Sequence, residues 1–230
     1  MNKFLRFGLT TFALIFVFNA FAVIETKAQI LNKILDTMDA HYKVLSSLQA
    51  NVKMDKYNSQ LGEHDITEGT TKYLPVKGRD AYVRIDWTEP VQESLAVVNK
   101  QYVIYTPRLG RAIIGKVDKA QGRAKSNSAL AFMNMSKAQL KANYNVKYLG
   151  EEKVDGKIPT WHLELTPKTK SSYKLADIWV DGDGMPIQMR VTENNNDSTT
   201  ILLTNLKKNI TLKANVFTIN LPKGTKTING

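Results

Sequence analysis

"YVRIDWTEPVQESLAVVNKQYVIYTP", residues 82–107, decides the fold. Val83, Ile85 and Trp87 alternate with Arg84, Asp86 and Thr88. In an extended chain that puts apolar side chains on one face and polar ones on the other. "SLAVV" and "YVIY" follow as runs rich in strand-forming residues, with Asn99-Lys100 as the turn between them. A ladder of hairpins with one buried face is the simplest structure that uses this pattern.

The signal continues in both directions. "LQANVKM" alternates through Leu48, Ala50, Val52 and Met54, and "AIIGKV" follows a Leu109-Gly110 turn. Further on, "VKYLGEEKV", "TWHLELTP", "LADIWV", "PIQMRV" and "TILLTNL" read as strands. Asp181-Gly182-Asp183-Gly184 is a hairpin turn, because aspartate and glycine tolerate positive φ, and "ENNND", 193–197, is another.

Two stretches break the period of two. Residues 29–46 place Ile30, Ile34, Met38 and Tyr42 on one face, with Leu31, Leu35 and Leu45 beside them, which predicts one amphipathic helix ended by Ser46-Ser47. "SALAFMNMSKAQL", residues 128–140, has helix formers and no β-branched run. Ser136 is placed to cap a short helix over "KAQLKANY", and 119–127 is a polar loop. A long sheet with one apolar face must curl and be covered. The predicted fold is mainly β with a helical lid: an incomplete, highly curved antiparallel β-barrel of about eleven strands. The N-terminal helix and the mid-chain helical insertion cover it. With no linker and no repeat, residues 23–230 form a single domain.

Composition narrows the function. The chain has 230 residues, 43% of them hydrophobic, enough for a substantial core. It has no cysteine, which excludes disulfides, thiol catalysis, zinc–thiolate sites and a lipidated N-terminal cysteine. Lys3 and Arg6 precede the apolar "FGLTTFALIFVF", and Ala20-Phe21-Ala22 is a small-residue cleavage site. This predicts a signal peptide over 1–22, with cleavage after Ala28 as the alternative, and export to the periplasm. The apolar run is short for a retained membrane anchor. Net charge is +11, or +9 once Lys3 and Arg6 are removed. Such a balance favours anionic surfaces, either lipid headgroups or acidic partners. The charges are scattered along strands with no basic, aromatic-interleaved helix, so nucleic acid is not an expected partner.

Catalytic patterns do not emerge. His41, His64 and His162 have no metal-ligand spacing, and His162 points outward from its strand as a surface histidine. Glu151-Glu152 and Asp181/Asp183 fall in turn-like segments where carboxylates are solvated. Asp181-x-Asp183 lacks the other ligands and the closing glutamate of a calcium loop. There is no nucleophile elbow, phosphate loop or dinucleotide fingerprint. Neither an enzyme, nor a metal site, nor a cofactor is expected.

The segment "RDAYVRIDWTEPVQESLAVVNKQYVIYTP", Arg79 to Pro107, resembles the R-P-x-x-F-x-W-x-x-x-x-P segment and following strand pair of the periplasmic outer-membrane lipoprotein carriers, the LolA-type family. "LELTPK" (163–168), "VDGDGMPIQM" (180–189) and "FTINLPKG" (217–224) resemble its later strands, glycine turn and ending. Asp80 departs from the family's proline, and Ile85 from its tryptophan, with Trp87 two residues on. The resemblance implies a half-open barrel whose apolar cavity is closed by helices. Such a carrier takes the acyl chains of a lipoprotein from an inner-membrane ABC-type release complex and passes them to an outer-membrane receptor. It implies that Arg79 latches the lid by hydrogen bonds, and a monomer suits a diffusing carrier. One parity of each strand supplies the cavity candidates: Val52, Met54, Val83, Ile85, Trp87, Val103, Trp161, Leu163, Leu165, Ile187 and Met189. Leu130, Phe132, Met133 and Met135 are the lid candidates. Each strand residue serves equally well as core packed on the N-terminal helix. Two alternatives stay open: an exported binding protein or sensor for another amphiphilic lipid on the same fold, and a β protein with a filled core.

Overall fold

The structure, a computed structural model, describes residues 26–76, 79–117 and 135–230, with residues 79 and 80 described by their backbone. The predicted signal peptide and the lid candidates Leu130, Phe132 and Met133 lie outside the described residues.

The first helix, α1, spans Lys27–Val44. Thr26 caps it: its hydroxyl accepts the Gln29 N–H (3.3 Å) and its own N–H donates to Gln29 Oε1 (2.7 Å), a reciprocal capping box. The cap moves the start two residues ahead of the predicted one. At the other end Leu45 is extended, so the helix stops before Ser46-Ser47. Those serines anchor its exit instead. The Ser46 N–H donates to Asn209 Oδ1 (2.8 Å) and the Ser47 hydroxyl to the Ile210 carbonyl (2.5 Å). Ile34, Leu35 and Met38 form the buried stripe, flanked by partly buried Ile30 and Leu31.

The strands are β1 (Leu48–Asn58), β2 (Glu63–Val76), β3 (Arg79–Glu89), β4 (Glu93–Val98), β5 (Gln101–Thr106) and β6 (Arg111–Lys116). After helix α2 (Lys137–Asn143) come β7 (Tyr144–Val154), β8 (Ile158–Pro167), β9 (Tyr173–Val180), β10 (Pro186–Glu193), β11 (Ser198–Lys208) and β12 (Lys226–Asn229). They make one sheet in the order β12-β6-β5-β4-β3-β2-β1-β11-β10-β9-β8-β7. Every pairing is antiparallel except β12 on β6. Among the described residues the outermost strands, β7 and β12, do not pair with each other, so the curved sheet stays open. The mainly β, incomplete-barrel fold is therefore the one observed, with twelve strands among the described residues where about eleven are predicted.

The predicted turns occupy their places. Asn99 and Lys100 both take positive φ (50° and 65°) between β4 and β5, and Asn196 (72°) lies between β10 and β11. The Asp181 side chain accepts the N–H groups of Asp183 (3.0 Å) and Met185 (2.8 Å) in the β9–β10 turn. There Gly184 (φ 87°) lies against α1, and an added Cβ would sit 2.5 Å from the Thr37 carbonyl oxygen. Only glycine allows the turn and the helix to meet this closely.

β2 has no apolar alternation to betray it. Tyr73 and Thr71 are its buried residues, and its threonines and long registers with β1 and β3 hold it extended. Gly69 marks a register shift against β3, where a Cβ would come within 2.2 Å of the Asp86 carbonyl oxygen. On the outer face, the C-terminal turn Ala214–Phe217 packs on β3 and β4. Phe217 is fully buried there, edge-on to Tyr82 with ring centroids 5.9 Å apart, and Arg84 Nη1 donates to the Thr218 carbonyl (3.2 Å).

Candidate functional site

The inner face of the sheet is the candidate site. One apolar row crosses five strands: Leu163 on β8 pairs with Ile178, Ile178 with Met189, Met189 with Ile201, and Ile201 with Met54 on β1. On the other wing Ile85 pairs with Leu95, and Leu95 with Ile104. All eight side chains are buried. Val52, Met54, Ile85, Trp87, Leu163, Leu165, Ile187 and Met189 belong to this cluster, and Val83 and Trp161 pack against it from partly exposed positions.

Val103 does not share the face. It pairs with Ala96, which pairs with Arg84, and so belongs to the outer side carrying Phe217. Tyr102 and Ile104 are the inward residues of β5. In "YVIY" both parities are apolar, so alternation cannot choose between them.

The cover is α1 with α2. Ser136 caps α2 with a second capping box through Gln139, as its position predicted. Leu140 is fully buried, and Met135, the one described lid candidate, packs on the same cluster. The helices are tied by polar contacts. Lys137 pairs with Asp36, the Lys137 N–H donates to Asp39 Oδ1 (3.2 Å), and Lys141 Nζ donates to Asn32 Oδ1 (2.9 Å). The Lys43 ammonium (2.7 Å) and the Lys137 N–H hold the Asp39 carboxyl below the usual carboxylate range. Between β6 and α2 the chain leaves one wing of the sheet at Val117 and returns beside α1 at Met135. Arg79 opens β3, its backbone opposite Val76, at the sheet end where β6 also finishes.

Among the described residues the inner face is packed beneath α1 and α2. A pocket of about 50 Å³ opens beside Met54, Trp87, Pro90, Leu95 and Ile104, with Lys56, Asp65, Thr67 and Glu93 around it. That is room for a few water molecules and far short of an acyl chain. Each of Ile34, Leu35 and Met38 holds α1 down with about 1.5–3 kcal/mol of apolar burial.

The outer face carries a polar cluster that sequence reading missed. His162 Nε2 lies 2.8 Å from Asp177 Oδ1, and its Nδ1 lies 3.0 Å from Glu152 Oε2. Arg190 Nη2 reaches Asp177 Oδ2 at 3.0 Å, and Trp179 Nε1 donates to Glu152 Oε2 at 2.8 Å. Trp179 is stacked under the His162 ring at 4.3 Å, with Arg190 5.3 Å from its own ring. Burial raises the Asp177 pKa, but the bonds from His162 and Arg190 outweigh it and leave this carboxyl below its ordinary range. His162 thus faces outward as predicted, yet its side chain is 14% exposed and fully engaged rather than a surface group. Glu152 is a strand residue with two partners, not a solvated turn carboxylate. The signal was present in the outward parity of His162, Asp177 and Arg190 on consecutive strands. Among the described residues no group of three or more His, Asp or Glu side chains is placed to hold a metal ion. No described helix is long and apolar enough to cross a membrane.

No curated protein matches the sequence. Among solved structures, an uncharacterized conserved protein from Thermus thermophilus superposes with a TM-score of 0.55 at 12% identity, covering 88% of this chain and all (100%) of that one. A DUF1329 family protein from Desulfovibrio piger has a TM-score of 0.46 at 18% identity over 84% of this chain and 98% of its own. A LolA superfamily protein from Nitrosomonas europaea has 0.42 at 15% identity, over 82% and 97%. The model of the family described as outer membrane lipoprotein carrier protein LolA matches residues 78–220, most of the described sheet and α2. The chain therefore belongs to the LolA family of outer membrane lipoprotein carrier proteins.

Proposed function

We propose that this protein is a periplasmic carrier of lipoproteins, and not an enzyme. It receives acyl chains from an inner-membrane ABC-type release complex, holds them on the inner face of the sheet, and delivers them to an outer-membrane receptor. The observation that carries this reading is the continuous apolar row across five strands, roofed by helices tied to each other through polar contacts, in a chain of this family. Residues 1–22 serve as the export signal, and the mature chain, 23–230, works as a monomeric single domain.

The energetics suit a carrier without a fuel site. An acyl chain of about fifteen methylenes gains about 0.8 kcal/mol for each on leaving water, roughly 12 kcal/mol in total. Arg79 latching the lid by a charged hydrogen bond contributes about 1.5–3 kcal/mol. The latch biases opening and closing but cannot expel the chain. Release is therefore a transfer to another apolar site of equal or greater affinity. Met54 and Met189 on the floor adapt to chains of different shape.

The test is purification of the mature protein from the periplasm, followed by mass spectrometry of what accompanies it. Recovery of triacylated lipoprotein supports the carrier reading. Recovery of free lipid alone replaces it with binding or sensing of another amphiphile.

A further inference from the structure

The β5–β6 turn and the C-terminal turn meet at one corner of the sheet. Pro107–Leu109 form a 3-10 turn closed by the Gly110 N–H on the Pro107 carbonyl (2.9 Å). Beside it the Lys226 N–H donates to the Gly110 carbonyl (2.9 Å), and β12 begins with Lys226 paired to Arg111. The preceding Pro222–Thr225 turn is closed by the Thr225 N–H (3.1 Å) and hydroxyl (2.7 Å), both on the Pro222 carbonyl. These bonds bring Arg108, Arg111, Lys223 and Lys226 to one corner, all exposed. Among the described residues none of the four makes an ion pair. Leu109 stands at the tip of the turn, 58% exposed.

A scattered exposed leucine needs no explanation. A leucine held at a hydrogen-bonded turn within a group of four unpaired cations has a specific use. We propose that this corner docks the protein on an anionic bilayer surface, with the four cations on lipid phosphates and Leu109 in the headgroup–acyl boundary. The chemistry favours a lipid surface over an acidic protein. Four long cationic side chains, from two turns and the first residues of the strands that follow them, suit a continuous sheet of negative charge, and one protruding apolar side chain suits insertion rather than a flat protein contact. Nearby acids do not cancel the charge. Glu93 is buried, and Glu63 and Glu89 stand on the neighbouring β1–β2 and β3–β4 hairpins. The proposal concerns where the protein rests, and it stands whatever the interior carries.

The experiment is co-sedimentation of the mature protein with phosphatidylcholine vesicles, with and without phosphatidylglycerol. The expected result is binding to the anionic vesicles alone, weakened by salt. Each basic side chain near such a surface is worth about fivefold in partitioning. R108Q/R111Q/K223Q/K226Q should therefore lose a few hundredfold, and L109N several-fold more on its own account. A control of equal charge loss on the β7–β9 wing, K147Q/K153Q/K157Q/K170Q, should keep most of the binding. Equal loss in the control overturns the proposal in favour of bulk charge. Absence of vesicle binding by the wild type also overturns it, including the case in which only an acidic protein is captured. Loss of vesicle binding with cargo capture intact separates this proposal from the carrier reading.

Discussion

Leu35→Ala on α1 should weaken the empty protein and strengthen its grip on an acyl chain. Leu35 is fully buried between the helix and the sheet, so truncation removes its burial and leaves a void. Alanine keeps the helix propensity, which isolates the packing effect. The expected cost is about 3 kcal/mol within the about 2–5 kcal/mol range for buried leucines. For a chain of this size that lowers the melting temperature by about 6–12 °C. In the proposed carrier, the lost packing belongs to the covered state, which a bound chain opens. Destabilising only that state raises apparent affinity by up to the same free energy, roughly a hundredfold. Phe217→Ala is the control: it is fully buried on the outer face and should cost as much stability without raising affinity. Thermal melts and titration with a fluorescent fatty-acyl probe give both quantities. Unchanged or weakened binding by Leu35→Ala, or an equal gain in Phe217→Ala, would refute the idea that α1 must yield to cargo.

Two further outcomes rest on the structure, and a third on the role that the family resemblance implies for Arg79. Asp177→Asn should cost about 1.5–3 kcal/mol at neutral pH, because His162 and Arg190 lose the acid they share. The folded Asp177 pKa is depressed, so its contribution is complete above the unfolded value near 3.9 and is lost as pH falls through the folded one. Denaturant unfolding across the acid range should show that loss in the wild type and a shallower one in the variant; identical pH slopes would contradict the assignment. Gly69→Ala should cost about 2 kcal/mol or more, since its Cβ meets backbone at 2.2 Å, and an unchanged denaturation midpoint would remove the argument for the β2–β3 register shift. Arg79→Leu should retain bound lipoprotein or fail to hand it on in a transfer assay with isolated membranes, whereas normal transfer would exclude the latch.

Much of the fold was legible because its turns announce themselves. Asn99-Lys100, Asp181–Gly184 and Asn196 sit at positive φ or in side-chain-capped turns, and hairpin order then follows from short loops. Both helix starts were legible through stripe and cap, though Thr26 placed the first one earlier than the apolar pattern did. β2 was not legible, since threonines and pairing, not alternation, make it a strand. The face of Val103 was undecidable where both parities are apolar. The Glu152, His162, Asp177 and Arg190 cluster joins four strands, and a cluster of that kind requires knowing which strands are neighbours. The apolar floor was legible for the opposite reason: strict alternation on β1, β3, β8 and β10 fixes its parity before any pairing is known.

The central claim is that acyl chains occupy the inner face of the sheet. Its most direct test is photo-crosslinking with a lipoprotein whose acyl chain carries a diazirine, with adducts mapped by mass spectrometry. The account predicts adducts on Met54, Ile85, Trp87, Leu165 and Met189. Adducts confined to Val103, Tyr82 and Phe217, or to exposed Leu61 and Leu109, would contradict it.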